Sequence, residues 1–408
     1  MPRLLRPSRR PTRRGASVLA AIVVVLLWGA LACLGGWLKS QAQGPVMSGG
    51  GNSAPPVITW RPSKKDAKYI GPQACAKCHA ALAATQPATS MGSAAQTVET
   101  SEVLRSYSRL TFRSDPYAYE ITRRGLQSLY TVTDGTNTFS EPILYAFGQG
   151  KAGQTYIFRH NGALYETRVS FYQSLRGLDW TMGYQLSRPA SLDDAAGRPL
   201  GAGEARECFA CHTTAAVNGS QLQLERMIPG VTCEACHGPG AEHAAAMATK
   251  NNAAPKRIFN PARMEPDELA QEFCGSCHRS AEQVLSNKIF NGLVSVRFQP
   301  YRIFTSHEHD PDDARLSCTA CHNPHTHLAQ DAAYYDQKCF ACHLSARALA
   351  AAPAAKATAD EGRTAKPCPV SQRLCVSCHM PKVEVPGTHF QFTDHRIRIA
   401  HDGEPFPN

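Results

Sequence analysis

A short pattern of cysteine and histidine recurs along this chain of 408 residues. Cys-x-x-Cys-His occurs seven times and, with two cysteines in each copy, uses fourteen of the sixteen cysteines. Two thiols at this spacing can add to the two vinyl groups of one haem, and the adjacent histidine then lies under the iron as its proximal ligand. Zinc sites and disulfide frameworks also use cysteine pairs, but neither requires a histidine after every second cysteine. The pattern therefore predicts seven covalently bound haem c groups.

We number the motifs 1 to 7 in chain order. Their cysteines and histidines are the predicted haem-binding residues, and the histidines are the predicted proximal iron ligands. The residues are Cys75, Cys78 and His79 in motif 1; Cys208, Cys211 and His212 in motif 2; Cys233, Cys236 and His237 in motif 3; Cys274, Cys277 and His278 in motif 4; Cys318, Cys321 and His322 in motif 5; Cys339, Cys342 and His343 in motif 6; and Cys375, Cys378 and His379 in motif 7.

Each six-coordinate iron needs a second donor on its other face, and nine histidines lie outside the motifs. His325 follows His322 by three residues, and His243 follows His237 by six. So short a loop does not easily carry the chain to the opposite face of the same haem. We therefore expect His243 and His325 to bind the irons of neighbouring haems.

Other second ligands are predicted from position alone. His395 is one, and one of His307 and His309 is another, with His307 taken as the candidate. Met91 lies twelve residues after His79, far enough to reach the other face of the first haem, where a thioether would raise the reduction potential. A buried core methionine is the alternative. The histidines not assigned to iron are His160, His327, His389 and His401.

The N-terminus has the pattern of a membrane anchor. Residues 1–15 are rich in arginine, and residues 16–37 form an apolar run long enough to cross a bilayer. The positive-inside rule keeps the arginines in the cytoplasm, so we expect a transmembrane signal anchor in a bacterial inner membrane and a periplasmic or otherwise extracytoplasmic remainder. A cleaved signal peptide and a lipid attached at Cys33 are the alternatives. Residues 38–68, rich in Gly, Pro and Ser, predict a flexible linker.

The rest of the chain divides by its motif content. We expect a first haem segment at 69–100, a β-rich module at 101–200 and a hexahaem domain at 201–408. The middle segment alternates apolar and polar residues between turn-forming Asp-Gly and Asn-Gly pairs. Large aliphatic residues are sparse after residue 200, so haems would fill that interior. The predicted fold class is a multihaem cytochrome c, mainly short α-helices and loops around stacked haems, with a small antiparallel β module.

Charge does not favour a nucleic-acid partner. The formal net charge is +10, but six arginines precede residue 15, and no basic patch with interleaved aromatic residues is present. The expected partners are the membrane, through the N-terminal helix, and redox proteins. A homo-oligomer or a subunit of a larger complex is left open.

Several motifs resemble those of the cytochrome c-554 type, which is related to hydroxylamine oxidoreductase. The segment 230–243, Gly-Val-Thr-Cys-Glu-Ala-Cys-His-Gly-Pro-Gly-Ala-Glu-His, is similar to that family's haem motif, and 70–75 resembles its opening motif. Cys-His-Asn-Pro-His at 321–325 and Cys-His-Met-Pro-Lys at 378–382 resemble larger multihaem members. The resemblance implies that His243, His325 and His395 are second ligands, each usually to a haem other than its neighbour.

Two functions follow from these patterns. The first is electron transfer along a chain of haems. The alternative is an oxidoreductase that acts on a small nitrogen or sulfur compound at a five-coordinate haem. No Cys-x-x-Cys-Lys motif is present. That motif marks the active haem of pentahaem nitrite reductases, and its absence weakens the prediction of an oxidoreductase. We assign no catalytic residue.

The haem count is tested by mass spectrometry of the purified protein under denaturing conditions. We expect the mass of the chain plus seven haems, because the attachment is covalent. A smaller number of haems would contradict the assignment of all seven motifs.

Overall fold

The computed structural model describes residues 68–249, 257–310, 316–341, 343, 368–401 and 403–407. Motifs 1 to 5 and 7 lie in these ranges in full, together with Cys339 and His343 of motif 6. Contacts divide the chain into two units, and every element below lies in the unit formed by residues 51–185 and 189–408.

The largest element is an antiparallel sheet of nine strands. Its main path runs β2-β3-β4-β5-β6-β7-β8 in chain order, while β1 pairs with β5 and β9 pairs with β7. The strands are β1 (Ala95–Thr97), β2 (Arg109–Ser114), β3 (Tyr117–Arg124), β4 (Gln127–Thr133), β5 (Thr138–Phe147), β6 (Gln154–His160), β7 (Ala163–Tyr172), β8 (Gly177–Trp180) and β9 (Gly197–Pro199).

The alternation of side chains explains these strands. In β3, Tyr117, Tyr119 and Ile121 are buried and the residues between them are partly exposed, which is the period of a strand with one covered face. The β6–β7 connection is the pair Asn161 and Gly162, both with positive φ (49° and 84°). Such a pair is typical of a two-residue hairpin turn, whose twist matches that of the flanking strands.

The helices of the described residues are short, from four to eleven residues. Helices that carry or lead into haem motifs are α1 (Pro72–Ala76), α5 (Ala202–His212), α6 (Cys233–His237), α8 (Gly275–His278), α11 (Cys318–Cys321), α12 (Ala332–Cys339) and α13 (Cys375–His379). The others are α2 (Ala80–Thr85), α3 (Glu102–Ser106), α4 (Leu192–Ala196), α7 (Ala241–Ala248), α9 (Ala281–Ser286) and α10 (Gln299–Phe304).

Short elements connect the motif helices. One π-helical segment, Glu268–Cys274, leads into motif 4. The 3-10 helices are Gln86–Ala88, Leu224–Arg226, Pro261–Arg263, Lys288–Phe290 and Gly292–Arg297. Three two-stranded ladders pair β10 (Thr213–Thr214) with β13 (Ile228–Pro229), β11 (Val217–Asn218) with β12 (Gln221–Leu222), and β14 (Lys382–Glu384) with β15 (Gln391–Thr393).

The predicted fold class, mainly short helices with a small β module, is wrong. The sheet is the largest element, and its strands contribute to the two largest clusters of buried hydrophobic side chains in the described residues. The third cluster, between α9 and α10, is built on only three buried residues, Ala281, Val284 and Tyr301. The reason is that the segment between motifs 1 and 2 has enough aromatic and aliphatic residues to form a core of its own. The segments between the later motifs have too few.

The predicted membrane anchor falls outside the described residues. No helix in the described ranges is long and apolar enough to cross a membrane. The segments named as a basic region (1–15), an anchor (16–37) and nearly all of the linker (38–68) lie outside the described residues.

Replacing Phe158 tests the core of the sheet. Its ring is fully buried against Tyr130 and Phe139. We expect Phe158→Ala to lower the free energy of unfolding by about 3–5 kcal/mol, through lost burial and the cavity that remains. Chemical denaturation followed by circular dichroism measures it. The control is Leu126→Ala in the exposed β3–β4 connection, and an equal loss in both variants would contradict this core.

Candidate haem sites and their axial ligands

Three pairs of histidine rings lie at a separation that would let both rings bind the same iron. Each pair joins the proximal histidine of one motif to a histidine from a distant segment. The ring centroids are 6.5 Å apart for His79 and His243, 6.2 Å for His237 and His325, and 6.1 Å for His322 and His395. Two imidazoles on opposite faces of one iron, each bonded at about 2 Å, would have centroids roughly 6 Å apart. The donor sets at motifs 1, 3 and 5 therefore fit haem with two histidine ligands.

The three pairs follow one rule. The second histidine always comes from the segment after the motif two places further along: His243 after motif 3 faces motif 1, His325 after motif 5 faces motif 3, and His395 after motif 7 faces motif 5. The structure thus places these histidines opposite a motif other than their neighbour. The loop lengths led us to expect this for His243 and His325, and the family resemblance implied it for His395. Their bonds to iron stay a prediction.

Backbone carbonyls orient several of the rings. A carbonyl oxygen only accepts, so the ring nitrogen Nδ1 donates the hydrogen bond and the Nε2 lone pair is left for a metal. The pairs are His212 Nδ1 with Ala94 O (3.0 Å), His237 Nδ1 with Phe259 O (2.9 Å), His379 Nδ1 with Arg398 O (2.9 Å) and His395 Nδ1 with Thr393 O (3.0 Å). The four rings are thus held in the tautomer that an iron ligand needs.

Burial favours the neutral form of five histidine rings. It lowers the pKa of His395 to about 4, and it lowers the pKa of His212, His278, His322 and His325 below the usual value. Loss of solvation disfavours the charged ring. A protonated imidazole cannot bind iron, so burial favours the ligating form.

Contacts between cysteines show which motifs are neighbours. Thiols of different motifs lie side by side, so haems attached to them would also be adjacent. Direct thiol pairs are Cys75 with Cys233, Cys211 with Cys277, Cys274 with Cys318, and Cys339 with Cys375; two further pairs interact at longer range, Cys236 with Cys274 and Cys321 with Cys339. The motifs therefore form a row in the order 1, 3, 4, 5, 6, 7, with motif 2 beside motif 4.

A buried carboxylate joins motifs 1 and 3. Glu234, between the two cysteines of motif 3, is 1% exposed. Its oxygens accept hydrogen bonds from the backbone N–H groups of Ile70 (3.0 Å), Gly71 (2.8 Å) and Gly240 (2.8 Å). Ile70 and Gly71 precede motif 1, and Gly240 precedes α7, which carries His243. One side chain thus holds both halves of the His79–His243 pair. Sequence reasoning missed it, because a Glu between motif cysteines has no distinguishing pattern.

A second carboxylate has the same role between motifs 6 and 7. Asp336 in α12 is buried and accepts hydrogen bonds from the N–H groups of Leu374 and Cys375, both at 2.9 Å. Leu374 takes a left-handed conformation (φ 57°) as the chain enters α13. Asp336 therefore fixes the start of motif 7 against the helix that leads into motif 6.

A buried ion pair positions His395. Arg302 and Asp394 are both fully buried, and the guanidinium meets the carboxylate at 2.8 Å and 3.0 Å in a two-point contact. Arg302 also donates to the carbonyl of Pro407 (2.8 Å). Such a planar fork fixes orientation as well as distance. Because Asp394 is adjacent to His395, the pair holds the backbone from which that ring faces His322.

His307 and His309 are the alternatives for one further second ligand. His307 is exposed, and Nε2 of His309 lies 3.2 Å from the Asp267 carboxylate. Nε2 of His343 is 3.8 Å from the carboxylate of Glu308, so the loop of residues 307–309 lies beside motif 6. Neither His307 nor His309 has a proximal histidine ring at the spacing seen in the three pairs, within the part of the chain that the structure describes.

Met91, the predicted second ligand at motif 1, stays a prediction. The ring that faces His79 is His243. The Met91 carbonyl accepts a hydrogen bond from the N–H of Val231 (2.9 Å), which ties this loop to the segment before motif 3. That contact gives the Met91 loop a structural role.

The histidines not assigned to iron have two kinds of surroundings. Nδ1 of His160 contacts Glu141 at 2.9 Å, and Nε2 of His389 contacts Asp179 at 2.8 Å, so both rings bind carboxylates of the sheet. His327 lines a cavity of about 140 Å³ beside His322 of motif 5. His401 lines a larger one, about 550 Å³, beside Cys378 of motif 7.

Comparisons with known proteins agree with the motifs. The family described as "Cytochrome c554 and c-prime" matches residues 184–238, which include motifs 2 and 3. The Multiheme cytochrome MtrA of Shewanella baltica (strain OS185) is 26% identical over 190 residues, 43% of this chain and 46% of that protein. The chain thus spans less than half of that relative's length. Together they support a multihaem c-type cytochrome with covalently bound haem c.

A solved structure has a partly similar arrangement. It is the crystal structure of Outer Cell Wall Cytochrome OcwA, with a TM-score of 0.44 and 15% identity. The match covers 81% of this chain and 79% of that chain.

Removing His243 tests the pairing at motif 1. We expect His243→Ala to convert one low-spin iron to high spin, because the iron held by His79 loses its second imidazole. Electron paramagnetic resonance measures the change. His160→Ala is the control, since that ring binds Glu141 and should leave every iron signal as it was. An unchanged spectrum in His243→Ala would contradict the pairing.

Proposed function

We propose that this chain is a heptahaem c-type cytochrome that carries electrons along a row of haems outside the cytoplasm. The observation that carries the proposal is the row of adjacent motifs in the order 1, 3, 4, 5, 6, 7. Haem iron, when bound, supplies the one-electron carrier. The chain's part is to attach each haem, set its axial ligands and keep neighbouring motifs in contact.

The axial ligands support electron transfer at three of the motifs. At motifs 1, 3 and 5 a second imidazole lies opposite the proximal one. An iron with two protein donors has no open position for a substrate, but it can still accept and give up an electron. We assign His243, His325 and His395 as these second ligands. His243 takes the place considered for Met91, so motif 1 does not require a thioether ligand.

The ends of the row are the proposed contact points for redox partners. Among the motif cysteines that the structure describes, Cys78 and Cys378 are the two exposed ones, and the others are partly buried. They belong to motifs 1 and 7, which are the two ends of the row. A partner protein would thus find an accessible haem at either end, while the haems between them are shielded by the chain.

The extracytoplasmic location is also part of the proposal. Haem is normally attached to Cys-x-x-Cys-His motifs outside the cytoplasm. Fourteen cysteines in seven haem motifs suit a protein folded in such a compartment.

One observation favours the alternative, an oxidoreductase with an open iron. At His212, His278 and His379, and at His343 of motif 6, the described residues place no second histidine ring at the spacing of the three pairs. A five-coordinate iron at one of these motifs could bind a small nitrogen or sulfur compound.

Electron paramagnetic resonance of the full haem-loaded protein separates the two functions. We expect seven low-spin irons whose signals do not change when nitrite, hydroxylamine or cyanide is added. A high-spin signal that shifts with any of these compounds would contradict a pure electron carrier and favour the oxidoreductase.

A further inference from the structure

We propose that two buried charges of opposite sign, Glu234 and Arg297, hold the reduction potentials at motifs 1 and 3 below those at motifs 2 and 4. This inference rests on the proposed electron-transfer function and gives it a direction. Electrons would be favoured on the side of motifs 2 and 4.

The negative charge lies between motifs 1 and 3. Glu234 is buried, and the partners of its carboxylate are backbone N–H groups. No Lys, Arg or His side chain of the described residues forms an ion pair with it. Its field reaches the neighbouring motif, because it contributes, after burial and the Cys233 thiol, to raising the pKa of Cys75 to about 11. The charge is thus near both haem attachment sites and has no cation to cancel it.

The positive charge lies beside motifs 2 and 4. Arg297 ends the 3-10 helix Gly292–Arg297; its guanidinium donates to Sδ of Met182 at 2.9 Å and lies 5.7 Å from the centre of the Phe392 ring. No carboxylate in the described part of the chain lies within ion-pair distance of it. Burial lowers its pKa, which shows that the cation is held at a cost.

Arg297 acts on both motifs. After burial, its charge helps to lower the pKa of His212, the proximal ligand of motif 2. The charge of Arg279 also helps to lower the pKa of Arg297, so the two cations are near each other. Arg279 directly follows His278 of motif 4 and forms an ion pair with Glu207 in α5. Since Glu207 offsets Arg279, Arg297 is left as a buried cation in this region with no ion-pair partner among the described residues.

The sign of each effect follows from Coulomb's law. Oxidation adds one positive charge to a haem iron, so a nearby carboxylate stabilises the oxidised form and a nearby guanidinium destabilises it. Glu234 thus lowers the reduction potential at motifs 1 and 3, and Arg297 raises it at motifs 2 and 4. A haem propionate that paired with Arg297 would reduce the size of this effect but not its sign.

The experiment is a potentiometric titration of the full haem-loaded chain, followed by electron paramagnetic resonance. Glu234→Gln should raise the midpoint of one or two irons, and Arg297→Gln should lower the midpoint of one or two others. We expect each shift to be about tenfold in the ratio of oxidised to reduced iron, which is about 59 mV for a one-electron couple.

Matched variants separate charge from packing. Arg297→Lys keeps the charge and should leave the midpoints near those of the parent protein. Glu225→Gln and Arg113→Gln remove charges from exposed positions and should also leave them unchanged. If Glu234→Gln displaces His243, a high-spin signal will report it. The Arg297 variants then decide whether a buried charge shifts the midpoint potentials.

Two results would overturn the inference: midpoints that stay within error in Arg297→Gln, or midpoints that fall in both Gln variants. Either result with seven low-spin haems still present leaves the proposed function standing. A ligand-sensitive high-spin signal in the parent protein counts instead against the proposed function.

Discussion

The pairing of imidazoles from distant segments is the constraint on which the haem-binding part of this protein depends. A motif brings its own cysteines and proximal histidine, but the opposite face of the haem must be supplied from elsewhere. At motif 1 the ring in that position is His243, which lies more than 160 positions from His79. With haem bound, each such pair would crosslink two parts of the chain, and the three pairs would join the odd-numbered motifs into one framework.

Buried charges hold these pairs in place. Glu234 gathers backbone N–H groups from two segments, Asp336 does the same at the start of motif 7, and the Arg302–Asp394 pair orients the chain beside His395. A buried charge that loses its partners is costly, so these contacts resist local rearrangement. Glu234 and Arg297 have no ion-pair partner of opposite charge among the described residues, so under our proposal their fields would also act on the haems.

The sheet contacts the haem region beside motif 2. Nδ1 of His212 donates to the carbonyl of Ala94, next to β1, and its ring stacks on Phe147 of β5 at 5.1 Å and 4°. Phe147 in turn packs against Phe209 in α5. The sheet therefore positions motif 2, which the spacing of the motifs had not indicated. Its aromatic core is independent of haem, and this explains why it forms a large part of the structure.

Local sequence patterns made the haem attachment sites and several strands predictable. Cysteines three positions apart and an adjacent histidine identify a haem attachment site without any knowledge of the fold, and alternation with Asn-Gly turns identifies strands such as β6 and β7. The loop after His322 is too short for His325 to reach the other face of the same haem, so a neighbouring site was expected. Which motif each histidine faces, and which charges are buried, was decided by tertiary structure alone. Those features depend on the path of the chain between residues as far apart as Ile70 and Glu234.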